Sequence, residues 1–73
     1  MSGVELCRAI RREPAHETMP VIFVSSRSAI SDVLDAFAAG ADEYVVSPFR
    51  EPELVARIFA LLRRARMVPA NQA

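Results

Sequence analysis

The apolar residues of this chain fall into blocks whose spacing alternates between a helical period and unbroken runs. Over residues 3–13, Leu6 and Ile10 stand one turn apart with Cys7 beside them, while Arg8, Arg11 and Arg12 occupy the intervening positions. That pattern predicts an amphipathic helix with its arginines toward water. Ser2 and Glu5 match the S-x-x-E capping box, in which each side chain satisfies a free amide of the first turn, and Pro14 stops the helix. Residues 20–25, Pro-Val-Ile-Phe-Val-Ser, are apolar without alternation, as in a parallel strand covered on both faces. Ser25, Ser26 and Ser28 form a polar turn, with Ser28 placed to cap a second helix over residues 29–39. Ile30, Val33, Leu34 and Phe37 mark its expected buried side, and Gly40 is placed to end it in the left-handed conformation.

Tyr44-Val45-Val46 reads as a short second strand and Ser47-Pro48-Phe49 as a turn. Glu51, Pro52 and Glu53 suit the positive end of a third helix. Leu54, Ile58, Leu61 and Leu62 give its apolar stripe, with Val55 and Phe59 beside it, and Arg63, Arg64 and Arg66 suit its negative end. Residues 67–73 read as a flexible C-terminal tail. The order is therefore helix, strand, helix, strand, helix. Two strands joined by a crossover helix are expected to be parallel. The predicted class is α/β, a slice of a doubly wound sheet carried by residues 1–66.

At 73 residues the chain is at most one small domain, and its 52% hydrophobic content is high for that size. Chains below about 70–80 residues usually need a disulfide, a metal or a partner. Cys7 is the only cysteine and His16 the only histidine, which leaves neither a disulfide nor a four-ligand zinc site. Association is the remaining expectation. Net charge is zero, so no global field favours nucleic acid or an anionic membrane, and no apolar run approaches the roughly 20 residues of a membrane span. Glu5 and Arg8 interrupt any signal-peptide pattern early, so the cytoplasm is the expected location. All nine basic residues are arginine. His16, between Pro14 and Pro20, reads as a solvated loop residue, and Cys7 as a small buried apolar group.

Four segments carry a resemblance to a known family. Gly3-Val4-Glu5-Leu6-Cys7-Arg8 resembles the start of the third helix of response-regulator receiver domains. Met19-Pro20-Val21-Ile22-Phe23-Val24-Ser25 resembles their fourth strand. Ala39-Gly40-Ala41-Asp42-Glu43-Tyr44, followed by Pro48-Phe49, resembles the stretch through their fifth strand. Glu53-Leu54, Ala56-Arg57 and Leu61-Leu62-Arg63-Arg64 resemble the closing helix. In order and at receiver spacing, they cover nearly the whole chain. The resemblance implies a partial flavodoxin-like (CheY-like) fold running from the third helix to the last, without the first three strands of a sheet ordered 2-1-3-4-5.

It also implies roles. Ser25 matches the Ser or Thr that bonds the phosphoryl group, and Tyr44 the aromatic residue that turns inward on activation. The lysine that contacts the phosphoryl oxygens is replaced by Ser47, and no other lysine exists to stand in. The bond before Pro48 is characteristically cis in the family. The acceptor aspartate and the acidic pair that binds Mg2+ belong to the first three strands, and Met1-Ser2-Gly3 resembles the M-x-G just after the acceptor. Asp32 and Asp35 fall in a helix and Asp42 in a turn, none at the carboxyl edge where open α/β sheets bind ligands. Phosphoryl transfer requires metal and acceptor held in line.

No catalytic residue, metal ligand or cofactor is therefore expected. Without the family context, Ser25 reads as a turn hydroxyl and Tyr44 as strand packing. The leading expectation is a truncated receiver of a two-component phosphorelay that acts through a homodimer or another signalling protein, touching neither nucleic acid nor membrane. Val21, Ile22, Phe23, Val24 and Ser25 are the expected dimer edge. The alternatives are a piece of a larger phosphorylatable regulator and an unrelated α/β ligand-binding module. The latter calls for a Gly-rich loop that Gly3 and Gly40 do not form.

Overall fold

The structure, a computed structural model, describes the backbone of residues 1–72 and the side chains of residues 1–66. Helix α1 (Gly3–Arg12) leads through a 3-10 turn (Pro14–His16) to strand β1 (Ile22–Ser25), helix α2 (Ile30–Ala38), strand β2 (Glu43–Val46) and helix α3 (Glu51–Gln72). β1 and β2 pair in parallel, from Ile22 opposite Glu43 to Ser25 opposite Val46. The order and the parallel pairing are those the hydrophobic pattern predicts. α3 is traced beyond residue 66, and the expected tail at 67–73 lies outside the residues whose side chains are described.

Local chemistry sets the element ends. The Ser2 hydroxyl accepts from the Glu5 amide at 3.1 Å, and the Glu5 carboxylate accepts from the Ser2 amide at 3.0 Å, closing the capping box. α2 starts differently from expectation. Its cap is Ala29, which gives no side-chain bond, so Ser28 does not cap it. Gly40 has φ +111°, and a Cβ there would lie 2.8 Å from Arg11 Cγ. Both the backbone angle and the close approach require glycine.

Alternate residues of a strand share a face. Glu43 pairs with Arg57 of α3 at 3.1 Å, which places Glu43 and buried Val45 on the α3 face. Phe23 and Tyr44 stack with ring centroids 6.0 Å apart on the opposite face. There α1 comes so close that a Cβ on Gly3 would lie 3.1 Å from the Phe23 ring.

Among the described residues the buried core is Cys7, Ala36, Ala39, Ala41, Val45 and Leu61. Small residues predominate because α1 and α2 approach closely: the Cys7 thiol donates to the Ala39 carbonyl at 3.4 Å. The expected buried side of α2 is therefore corrected. Ala36 and Ala39 are buried, while Ile30, Leu34 and Phe37 are exposed. Leu6 on α1 and Val55, Ile58, Phe59 and Leu62 on α3 are also exposed. A fully buried aliphatic side chain contributes about 1.5–3 kcal/mol, and among the described residues only Val45 and Leu61 approach that condition.

With so thin a core, a few hydrogen bonds carry more weight, and Arg11 makes the most. It was expected to face water, but its side chain is only 17% exposed. Nε and Nη2 donate to the Gly40 carbonyl at 3.0 and 2.8 Å, and Nη2 also donates to Asp42 Oδ2 at 3.0 Å. Nη1 reaches the carbonyls of His16, Glu17 and Met19. Asp42 Oδ2 accepts from the Val21 amide at 2.9 Å, and the Asp42 amide donates to the Val21 carbonyl at 2.9 Å. One guanidinium thus joins the end of α1, the approach to β1 and the turn before β2. Asp42 is 40% exposed, so the ion pair itself adds little. Pairing of the carbonyls is the larger effect.

Arg11→Ala is expected to lower unfolding free energy by about 2–3 kcal/mol in urea titration, against no more than about 0.5 kcal/mol for exposed Arg12→Ala. Equal shifts would show that the arginine hub holds nothing. Gly40→Ala is expected to destabilise by more than about 1 kcal/mol. The Ser2 backbone and hydroxyl bonds hold the Glu5 carboxyl below its ordinary value of 4.5. The capping contribution is therefore fully present above that value and is lost as pH falls through the lower, folded-state one. An NMR titration of Glu5 with a midpoint at or above 4.5 would contradict this.

Candidate functional site at the carboxyl edge of the sheet

Parallel α/β sheets bind ligands beyond the carboxyl ends of their strands, and the three family positions meet there. Ser25 ends β1, and its carbonyl accepts from the Ser47 amide at 2.7 Å, one step past β2. Ser25 Oγ accepts from the Arg27 amide at 3.1 Å, which leaves its own proton free to donate. The Tyr44 hydroxyl donates to the Arg27 carbonyl at 2.7 Å. The strand aromatic is thereby tied to the loop that follows Ser25. The Ser47–Pro48 peptide bond is cis. Ser47 ends the arm on which the resemblance places a lysine, and a hydroxymethyl group offers neither that reach nor that charge.

A cleft of about 480 Å3 opens beside these groups, bounded by Ser2, Gly3 and Val4 of α1 and by Ser25, Arg27, Asp32 and Tyr44. Sequence reasoning missed Arg27 and Asp32, which approach to 3.5 Å. Arg27 directly follows the serine pair and Asp32 lies one turn into α2, so their spacing was the available signal. Among the described residues, no three His, Cys, Asp or Glu side chains gather where a metal could sit. Asp32 is the single carboxylate in the cleft and is already paired; Asp42 is committed to Arg11 and Val21. Mg2+ takes octahedral oxygen ligands with one or two carboxylates, so these residues alone do not fit the family's ion. The cleft can donate a hydroxyl hydrogen bond and present a guanidinium.

The second candidate is the outer edge of β1. A 220 Å3 groove runs along it, lined by Leu6, Cys7 and Ile10 of α1 and by Val21 through Val24. Val24 is 49% exposed. The Val21 and Ser25 carbonyls are taken on the β2 side, so alternation directs the main-chain groups of Ile22 and Val24 away from β2.

Tyr44→Phe keeps the stacked ring and removes only the bond to the Arg27 carbonyl. Faster amide hydrogen exchange is expected at Ser26–Ala29, with a stability loss of about 1 kcal/mol. Unchanged exchange there would mean that the hydroxyl does not restrain the loop.

Residues 1–59 match the response regulator receiver domain family. The phosphate regulon transcriptional regulatory protein PhoB of Rhizobium meliloti is 48% identical over 66 residues, covering 90% of this chain and 29% of that protein. The DNA-binding response regulator MtrA of Mycolicibacterium smegmatis is 39% identical over 71 residues, covering 97% of this chain and 30% of that protein. A crystal structure described as a response regulator from Chloroflexus aurantiacus superimposes with TM-score 0.81 at 33% identity, covering 86% of this chain and 52% of that one. The chain thus spans less than a third of these curated relatives and about half of the solved one. Matching fold and matching sequence lead to one conclusion: the chain belongs to the response regulator receiver domain family.

Proposed function

We propose that this 73-residue chain is a signalling module of a two-component phosphorelay that accepts no phosphoryl group itself and works by protein–protein contact, self-association included. The observation that carries this reading is the state of the carboxyl edge. Ser25 Oγ accepts from the Arg27 amide and the Tyr44 hydroxyl donates to the Arg27 carbonyl, while Ser47 stands where the resemblance places a lysine and, among the described residues, a single paired carboxylate, Asp32, lines the cleft. A phosphoryl group placed there would lack the ammonium and the metal that neutralise its charge. The module needs no cofactor and performs no catalysis. Its place is the cytoplasm, and no helix among the described residues is long and apolar enough to cross a membrane. Zero net charge favours a protein partner over nucleic acid.

The coverage of the relatives supports a second reading, a piece of a larger phosphorylatable regulator. In that setting the acceptor and acidic pair would come from residues outside these 73. Ser47 would still deny the site its ammonium.

The test is incubation of the 73-residue chain with Mg2+ and acetyl phosphate, followed by intact-mass measurement. The mass is expected to stay unchanged. A stable gain of one phosphoryl group would overturn the proposal.

A further inference from the structure

We infer that Glu43 and Arg57 form a clasp that closes the outer edge of β2 to pairing with another strand. β2 has β1 on one side only. In the sheet order that the family implies, its counterpart is the last strand, so this outer side is an edge whichever residues precede these 73. The Ser47 amide bonds toward β1, to the Ser25 carbonyl. Alternation back along the strand turns the main-chain groups of Val45 the same way and those of Tyr44 and Val46 outward. Tyr and Val favour strands, and Val46 is 41% exposed. An edge of this kind, with open main-chain groups, is a template for a further strand.

The outward Tyr44 amide is already taken. It donates to Oε1 of Glu43 at 3.0 Å. The carboxylate must fold back over the edge to accept it, and α3 holds it there. Oε2 of Glu43 pairs with Nη1 of Arg57 at 3.1 Å, and Nη2 of the same guanidinium pairs with Glu53, one turn back on α3, at 3.3 Å. Each oxygen of Glu43 thus has its own partner, and Arg57 is anchored on its other arm. The side chains of Glu43 and Arg57 are 26% and 40% exposed, and ion pairs so open add little stability. What the clasp changes is access. An incoming strand would have to displace a carboxylate from the amide it needs and bring its own carbonyl beside that negative charge. This depends neither on phosphoryl chemistry nor on the surface through which copies of the chain meet.

Amide hydrogen exchange and sedimentation on the intact chain test the clasp together. Glu43→Ala is expected to speed exchange of the Tyr44 amide about fivefold, the loss of one hydrogen bond of ordinary net strength. It is also expected to raise the weight-average mass above that of the unsubstituted chain at equal concentration and equal folded fraction. Adding Val46→Lys sets a charge on the opened edge and is expected to return the mass to its starting value. Arg57→Gln alters neither the amide nor its acceptor, so it reads the clasp from the far end, and also serves if Glu43→Ala does not fold. The same two changes are expected, because Glu43 is no longer held over the edge. Tyr44 exchange unchanged in these variants overturns the clasp. Faster exchange with the mass unchanged describes a contact that stabilises without guarding, and overturns the proposal as well. So does an increase in mass that Val46→Lys leaves in place.

Discussion

One guanidinium holds together the segments that the hydrophobic core leaves loose. Arg11 is rooted on the same stripe of α1 as buried Cys7, one turn later, and its planar fork meets carbonyls from two separate loops. The fork geometry matters because a guanidinium spreads five donors over three nitrogens in a fixed plane, whereas an ammonium gathers its three donors at one atom. Through Asp42 the same contact reaches the Val21 amide, and so fixes where β1 begins relative to β2. Register in turn decides which carbonyls of β1 face inward, and hence which face out. Gly40 completes the arrangement, since any side chain there would occupy the space of the Arg11 stem.

That dependence follows from the small core. Alanines at 36, 39 and 41 let α1, α2 and the sheet approach closely, but they remove little apolar area from water. The large apolar side chains, Ile30, Leu34, Phe37, Phe59 and Leu62, lie instead on outer helix faces. At the carboxyl edge, Ser25 and Tyr44 are both bonded to Arg27, and Ser47 stands where the resemblance places a lysine.

Much of this was legible in the sequence. The capping box, the proline stop after α1, the glycine after α2 and the unbroken apolar runs of both strands each have a local cause, and each element appears where that cause puts it. The positions Ser25, Tyr44 and Ser47 were singled out by the resemblance to receivers, not by spacing or composition. The misreadings share one origin, which is that side-chain size does not decide which face packs. On α2 the largest apolar residues suggested the buried side, but close approach of the backbones selects the small ones. On α1 the charge of Arg11 suggested water, but its i+4 relation to Cys7 placed it on the packed side, where carbonyls were waiting. The Arg27–Asp32 spacing was a signal in the sequence, but whether the two side chains meet depends on how the β1–α2 loop turns.

The most direct measurement of the arginine's organising role is NMR of the guanidinium groups in the intact chain. The account predicts that Arg11 shows slowly exchanging, individually resolved Nη protons and a measurable hydrogen-bond coupling to the Gly40 carbonyl, while exposed Arg8 and Arg12 show rotationally averaged, fast-exchanging signals. An Arg11 side chain averaged like theirs in the folded protein would contradict it.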